Sequence, residues 1–216
     1  MNVTAKLGIL FMVYLSLMIS CKSPTEQLQD AVNSTVESVA ETQTGQSIDL
    51  PDGANYEKNQ ATGILSIAGK DYMNPSMKFI GNVAGQLDAN GKLVSIQLAN
   101  ETGSTLMLVI SKYPEKISLP FTCKLYKEGE IPSDKTSAKI IFMALTENSM
   151  ESYLSFGGEV KITKMNEEEI EFSFDGKTGV PSNLDNPSKW MDMKGKFIIK
   201  SPTIMTIGMQ KEDILQ

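Results

Sequence analysis

From about Thr62 to Gly208, apolar and polar residues alternate in short runs with the two-residue period of β-strands. The clearest case comes late. Val160 and Ile162 alternate with Glu159, Lys161 and Thr163. After a turn near Asn166, Ile170, Phe172 and Phe174 alternate with Glu169, Glu171, Ser173 and Asp175. One face of this hairpin is apolar and the other acidic, which predicts one face on a core and one in water. Earlier, Lys78 to Leu87 and Lys92 to Ala99 flank Asp88-Ala89-Asn90-Gly91, a hairpin turn. In the second run Val94, Ile96 and Leu98 point one way, Ser95 and Gln97 the other. Asn100 to Gly103 makes the next turn. Leu106 to Ile110 is continuously apolar and is predicted to be central. Thr62 to Ala68, Phe121 to Tyr126, Lys139 to Leu145, Lys194 to Lys200 and Thr203 to Ile207 complete the set. Gly157-Gly158 reads as a turn between strands. Gly176 to Lys189, with Pro181 and Pro187, reads as a long loop. No run in this stretch has helical period. Such closely spaced short strands predict an all-β domain over residues 62–208: an antiparallel β-sandwich, or alternatively a lipocalin-like up-and-down barrel. At about 150 residues it can bury a core without disulfides.

The pattern changes before residue 62. Lys6 precedes an apolar run, Leu7 to Ile19, about the length of a signal-peptide core. It falls short of the about 20 apolar residues that span a bilayer. Ser20 and Cys21 follow, and polar sequence starts there. Residues 22–60 are rich in Gln, Glu, Thr, Ser and Asn. Within them Leu28, Ala31, Val32, Val36 and Val39 recur at helical spacing, with Ser23 or Thr25 as a cap and Pro24 in the first turn. A marginal helix and a flexible stalk both fit. Residues 209–216 read as a C-terminal tail.

Composition narrows the chemistry. All 20 basic residues are Lys, and the chain has no Arg and no His. A His-based triad, an imidazole metal ligand and a His proton switch are therefore excluded. The guanidinium fork for phosphate and carboxylate is missing too. The net charge is −6, and an acidic, arginine-free surface is a poor binder of nucleic acid. The chain has two cysteines, Cys21 and Cys123; if Cys21 is taken up by a modification, Cys123 has no partner and there is no internal disulfide framework. Cys123 alternates with Phe121 and Leu125 on an apolar face, which predicts a buried thiol.

Two segments carry a resemblance. Lys6, the apolar run, Ser20 and Cys21 resemble a bacterial lipoprotein signal. That implies removal of residues 1–20 and a lipid anchor on Cys21, followed by the stalk of residues 21–61. Two or more acyl chains hold stably in a membrane. Position Lys22 is not Asp, so the inner-membrane retention signal of enterobacteria is missing and the outer membrane is implied. Lys22 to Glu26 supplies one acid toward a surface-export signal, so the body faces periplasm or cell surface. Further on, Gly158-Glu159-Val160-Lys161-Ile162-Thr163, Glu171-Phe172-Ser173-Phe174 and Lys194-Gly195-Lys196-Phe197 resemble the C-terminal part of β-rich lipoproteins of Bacteroidota. Glu169 and Glu171 depart from the Gly and Thr of that pattern. Most of those proteins have no assigned activity, so the resemblance implies no catalytic residue and no cofactor.

Candidate sites are few. Glu167, Glu168, Glu169 and Glu171 form the densest acidic cluster, but neighbouring strand residues face opposite ways, so a solvated hairpin is the better reading than a Ca²⁺ site. Trp190, with Met191 and Met193, ends the long loop as a candidate binding patch or as a plug on the β core. Tyr113, Tyr126 and Tyr153 are further candidates. These features predict a membrane-anchored, non-enzymatic module that binds an envelope protein, glycan or other ligand. A carrier of a small apolar ligand is the alternative, and a carboxylate-dependent hydrolase ranks last.

Overall fold

The alternating runs become strands in a computed structural model, which describes residues 58–127, 129–132, 134–145 and 149–216. In chain order they are β1 (Gln60–Ile67), β2 (Lys70–Met73), β3 (Phe79–Asp88), β4 (Gly91–Asn100), β5 (Thr105–Ser111), β6 (Phe121–Tyr126), β7 (Ser137–Leu145), β8 (Met150–Met165), β9 (Glu169–Gly179), β10 (Met191–Lys200) and β11 (Thr203–Ile207). The all-β expectation holds. Cys21, the segment before it and the apolar stripe of the stalk lie outside the described residues.

All eleven strands belong to one sheet. β3, β4, β5, β7, β8, β9, β10 and β1 pair antiparallel in that order. β1 then meets β3 through Gln60↔Ile80 and Ala61↔Phe79, so the run of pairings returns to its start. Beyond this two-residue seam the strands part. β11 runs parallel to β3 along Asn82 to Gln86, and β2 covers β1 along Leu65 to Ile67.

β8 is the long strand that ties the sheet together. Its first part pairs with β7 and its second part with β6. At the handover the buried Ser155 hydroxyl accepts the Ile140 N–H at 2.9 Å, replacing the carbonyl that the ladder loses there. Gly157-Gly158, expected as a turn, lies inside β8 at a shift of register against β9. Gly158 has φ +120°, and a Cβ on it would sit 2.3 Å from the Asp175 carbonyl oxygen. The glycines mark a bulge where two backbones approach, a role that sequence alone does not separate from a turn.

The inward positions form the core. Ile96, Leu98, Leu108, Ile110, Phe142, Ile162, Ile170, Phe172, Phe174 and Phe197 are all buried; for Ile96, Leu98, Ile162, Ile170, Phe172 and Phe174 this follows the alternation of the sequence. Phe121, also expected in the core, is half-buried at the start of β6 and packs against Tyr113, ring centroids 5.9 Å apart. Large rings face small residues. A Cβ on Gly195 would lie 2.3 Å from the Phe174 ring, and one on Gly63 would lie 2.3 Å from the Phe197 ring.

Two elements that the pattern did not predict complete the packing. In β2, Tyr72 reaches from β1 to Phe142 of β7 and Tyr153 of β8, on other strands of the sheet. Residues 209–216, expected as a tail, are part of the fold. Met209 and Ile214 are buried, the Tyr113 hydroxyl donates to the Ile214 carbonyl at 3.0 Å, and the Gln216 N–H donates to Met165 at 2.8 Å. A turn at Lys211–Asp213 shapes this segment, and Asp213 pairs with Lys92 at 3.2 Å.

Candidate functional site

The loop after β9 is shorter than expected, because β9 continues to Gly179. Two single-turn 3₁₀ segments, Pro181–Asn183 and Pro187–Lys189, give it shape, each begun by the proline that fixes its first φ. Trp190 follows the second turn. Its indole N–H donates to the Asn183 carbonyl at 2.9 Å, and its ring lies 5.2 Å from that of Phe156. Phe156 is buried but stands outside the main core cluster, so Trp190 covers a small apolar site of its own. Met193 is fully buried in the core and Met191 packs half-buried against it. Alternation along β10 thus sends Met193 to the interior. The three residues do not converge on one surface patch.

The acidic face of β9 is neutralised by its neighbours. Glu169 pairs with Lys164 at 2.7 Å and also with Lys200. Glu171 pairs with Lys196 at 2.8 Å, Asp175 with Lys194 at 2.8 Å, and Asp192 with Lys177 at 2.6 Å. The hydrogen bond from Lys196 holds the Glu171 carboxyl below its ordinary range, and Lys177 does the same to Asp192. Exposed pairs of this kind contribute about 0–1 kcal/mol each, but they occupy the oxygens a cation would need. Among the described residues no three candidate ligands converge.

A polar chain sits where β2 meets β8. The Tyr153 hydroxyl donates to Glu151 Oε2 at 2.7 Å, and the Tyr72 and Tyr153 oxygens are 2.9 Å apart. A carboxylate only accepts, so the Tyr153 proton is committed to Glu151 and Tyr72 donates to Tyr153. Burial, followed by these hydrogen bonds, pushes the Tyr153 phenol well above its ordinary range. The Lys70 ammonium lies 4.6 Å from the centre of the Tyr72 ring. Of this group the sequence pointed only to Tyr153. Tyr72 escaped notice because β2 is four residues long and its contacts are with β7 and β8. Tyr113 is buried beside the C-terminal segment, and Tyr126 is half-buried at the end of β6.

Cys123 is buried on β6, and burial pushes its thiol up to about 12. The reactive species is the thiolate. Cys123 is therefore expected to resist a maleimide at pH 8 in the native protein and to react fully in denaturant. Equal rates in both states would place the thiol at the surface.

Compared with known proteins, the chain matches no family model, no curated protein and no solved structure.

Proposed function

We propose that this protein is a membrane-anchored lipoprotein of the bacterial cell envelope, tethered to the outer membrane through Cys21, whose β domain is a non-enzymatic binding module for an envelope protein or glycan. In this reading the domain is a lipocalin-like barrel rather than a sandwich; the return of the strand pairing from β10 through β1 to β3 supports that choice. The observation that carries the functional reading is the packing of the interior. Phe172, Phe174 and Phe197 stack with centroids 5.6 to 6.4 Å apart, over glycines that leave no room for even a Cβ. A barrel filled this way works through its outer surface. The chain has no His, and its remaining thiol is buried and protonated, which favours binding over nucleophilic catalysis.

A second reading, a carrier of a small apolar ligand, draws on the packing of Tyr72. Its short strand, held to β1 over a few residues, covers Phe142 and Tyr153. Native mass spectrometry of the Cys21→Ser chain, produced by secretion and purified gently, separates the two. The binding-module reading expects the bare protein mass. Added mass that disappears on denaturation would establish the carrier instead.

A further inference from the structure

Among the described residues an Asn or Asp precedes glycine twice, at Asn90-Gly91 and at Asp175-Gly176. In such a pair the backbone nitrogen of the glycine reaches the side-chain carbonyl carbon of the residue before it and closes a five-membered ring. A side chain on the second residue crowds that nitrogen, and glycine has none. By sequence the two pairs are alike. The fold separates them. Gly176 lies inside β9, paired with Gly158 of β8 and with Met193 of β10. A Cβ on it would stand 2.2 Å from the Gly157 carbonyl oxygen, so its backbone has no room to turn. The Asp175 carboxylate is held by Lys194 at 2.8 Å, and an ionised carboxylate is a poor electrophile.

Asn90-Gly91 differs in each respect. It forms the tip of the β3–β4 hairpin, at the last rung of the ladder, Asp88↔Gly91. Asn90 is exposed. The Asp88 carboxylate accepts its backbone N–H at 2.6 Å, which shapes the turn but leaves the side-chain amide without a hydrogen-bond partner among the described residues. Gly91 has φ +107°, and a Cβ on it would meet only the Lys112 side chain, 3.5 Å from Cδ and 4.0 Å from Nζ. A cation therefore stands beside the nitrogen that must give up its proton, and an opposite charge favours the anion. The remaining described asparagines are hindered. Asn74 and Asn186 precede proline, which has no N–H to lose. Asn59, Asn82, Asn100, Asn166 and Asn183 precede residues with bulky side chains.

We propose that Asn90 is a self-modification site, at which the folded chain converts its own asparagine to aspartate and isoaspartate. The Gly91 nitrogen loses its proton to hydroxide and attacks Asn90 Cγ. The N–Cγ bond forms, the Cγ–Nδ2 bond breaks, and ammonia leaves with a proton from water. Water then opens the cyclic imide at either of its two carbonyl carbons, one giving aspartate and the other isoaspartate. No group is oxidised or reduced, and water is the only co-reactant. The reacting atoms belong to adjacent residues, so no encounter limits the step. Either product places a new negative charge beside Lys112. Isoaspartate also lengthens the backbone by one carbon at the rung where Asp88 faces Gly91.

Peptide mapping by mass spectrometry of the folded Cys21→Ser chain, kept at mildly alkaline pH and sampled over weeks, tests this. The peptide containing Asn90 is expected to gain the mass difference between aspartate and asparagine. It should split into two chromatographic peaks, one of them labelled by isoaspartate-specific methylation, before any other described Asn or Asp changes. Asn90→Gln is expected to lose the mass shift, because its longer side chain would have to close a six-membered ring. The substituted side chain is at an exposed turn, so this variant should keep the far-ultraviolet circular dichroism spectrum of the parent. An Asn90 peptide that stays unchanged in the folded chain, while the same peptide cut from it reacts, would overturn the proposal by showing that the turn protects the amide. Earlier reaction at Asp175 or at another described asparagine would overturn it too.

Discussion

Replacing Phe197 by Ala is expected to destabilise the domain by about 3–5 kcal/mol. Typical domains have about 5–15 kcal/mol of stability in all, so this one change removes a large share. The ring is fully buried. It stacks on Phe172 at 5.6 Å and Phe174 at 6.3 Å, and meets Phe79 edge-on at 6.3 Å. Its seat is Gly63, where a Cβ would already touch the ring at 2.3 Å. With the ring gone, the glycine has no side chain to move into the void. The cavity therefore stays, which argues for the upper part of the range. Urea unfolding followed by Trp190 fluorescence would report a lower midpoint with an unchanged slope. A loss below about 1 kcal/mol would mean that the site collapses or was never tightly packed. That result would move the functional reading toward a carrier with a loose interior.

The legible parts of this fold are those whose cause is local. In β8 and β9 each residue's face follows from alternation, so Val160, Ile162, Ile170, Phe172 and Phe174 were readable as core. The turn at Asp88 to Gly91 was equally plain. Its residue types build it locally: Asp88 accepts the Asn90 N–H at 2.6 Å, and Gly91 supplies φ +107°. What escaped depends on contacts between distant segments. β2 is too short to show a period. The C-terminal segment has few apolar residues, and Ile214 counts as core only because Gly85 opens a space for it. The first half of β8, Met150 to Phe156, lacks clean alternation because Phe156 serves the separate site under Trp190. Trp190 was readable as either patch or plug. Its partner decides between them, and that partner lies 34 residues earlier in the chain, on another strand.

The two glycines of β8 make the sharpest contrast available in this chain. Gly157→Ala should be close to neutral, because nothing lies within 4 Å of its added Cβ. Gly158→Ala should be severe. Its φ of +120° is a conformation that residues with a side chain occupy at about 1–3 kcal/mol. Its Cβ would also stand 2.3 Å from the Asp175 carbonyl oxygen and 2.4 Å from the Gly176 Cα, both backbone atoms. Forcing these apart adds overpacking of about 1–3 kcal/mol. The strain falls on pairing as well as packing. Gly158 sits between Leu125 of β6 and Gly176 of β9, so a shift of its own backbone away from β9 also disturbs β6, the strand that carries Cys123. Thermal unfolding should therefore drop sharply in Gly158→Ala and hardly move in Gly157→Ala. Maleimide labelling of native Cys123 should rise only in the first variant. Equal effects from the two substitutions would show that the bulge does not control where β8 changes partner. A large effect of Gly158→Ala on stability without any gain in Cys123 reactivity would confine the damage to the β8–β9 pair and leave β6 in place.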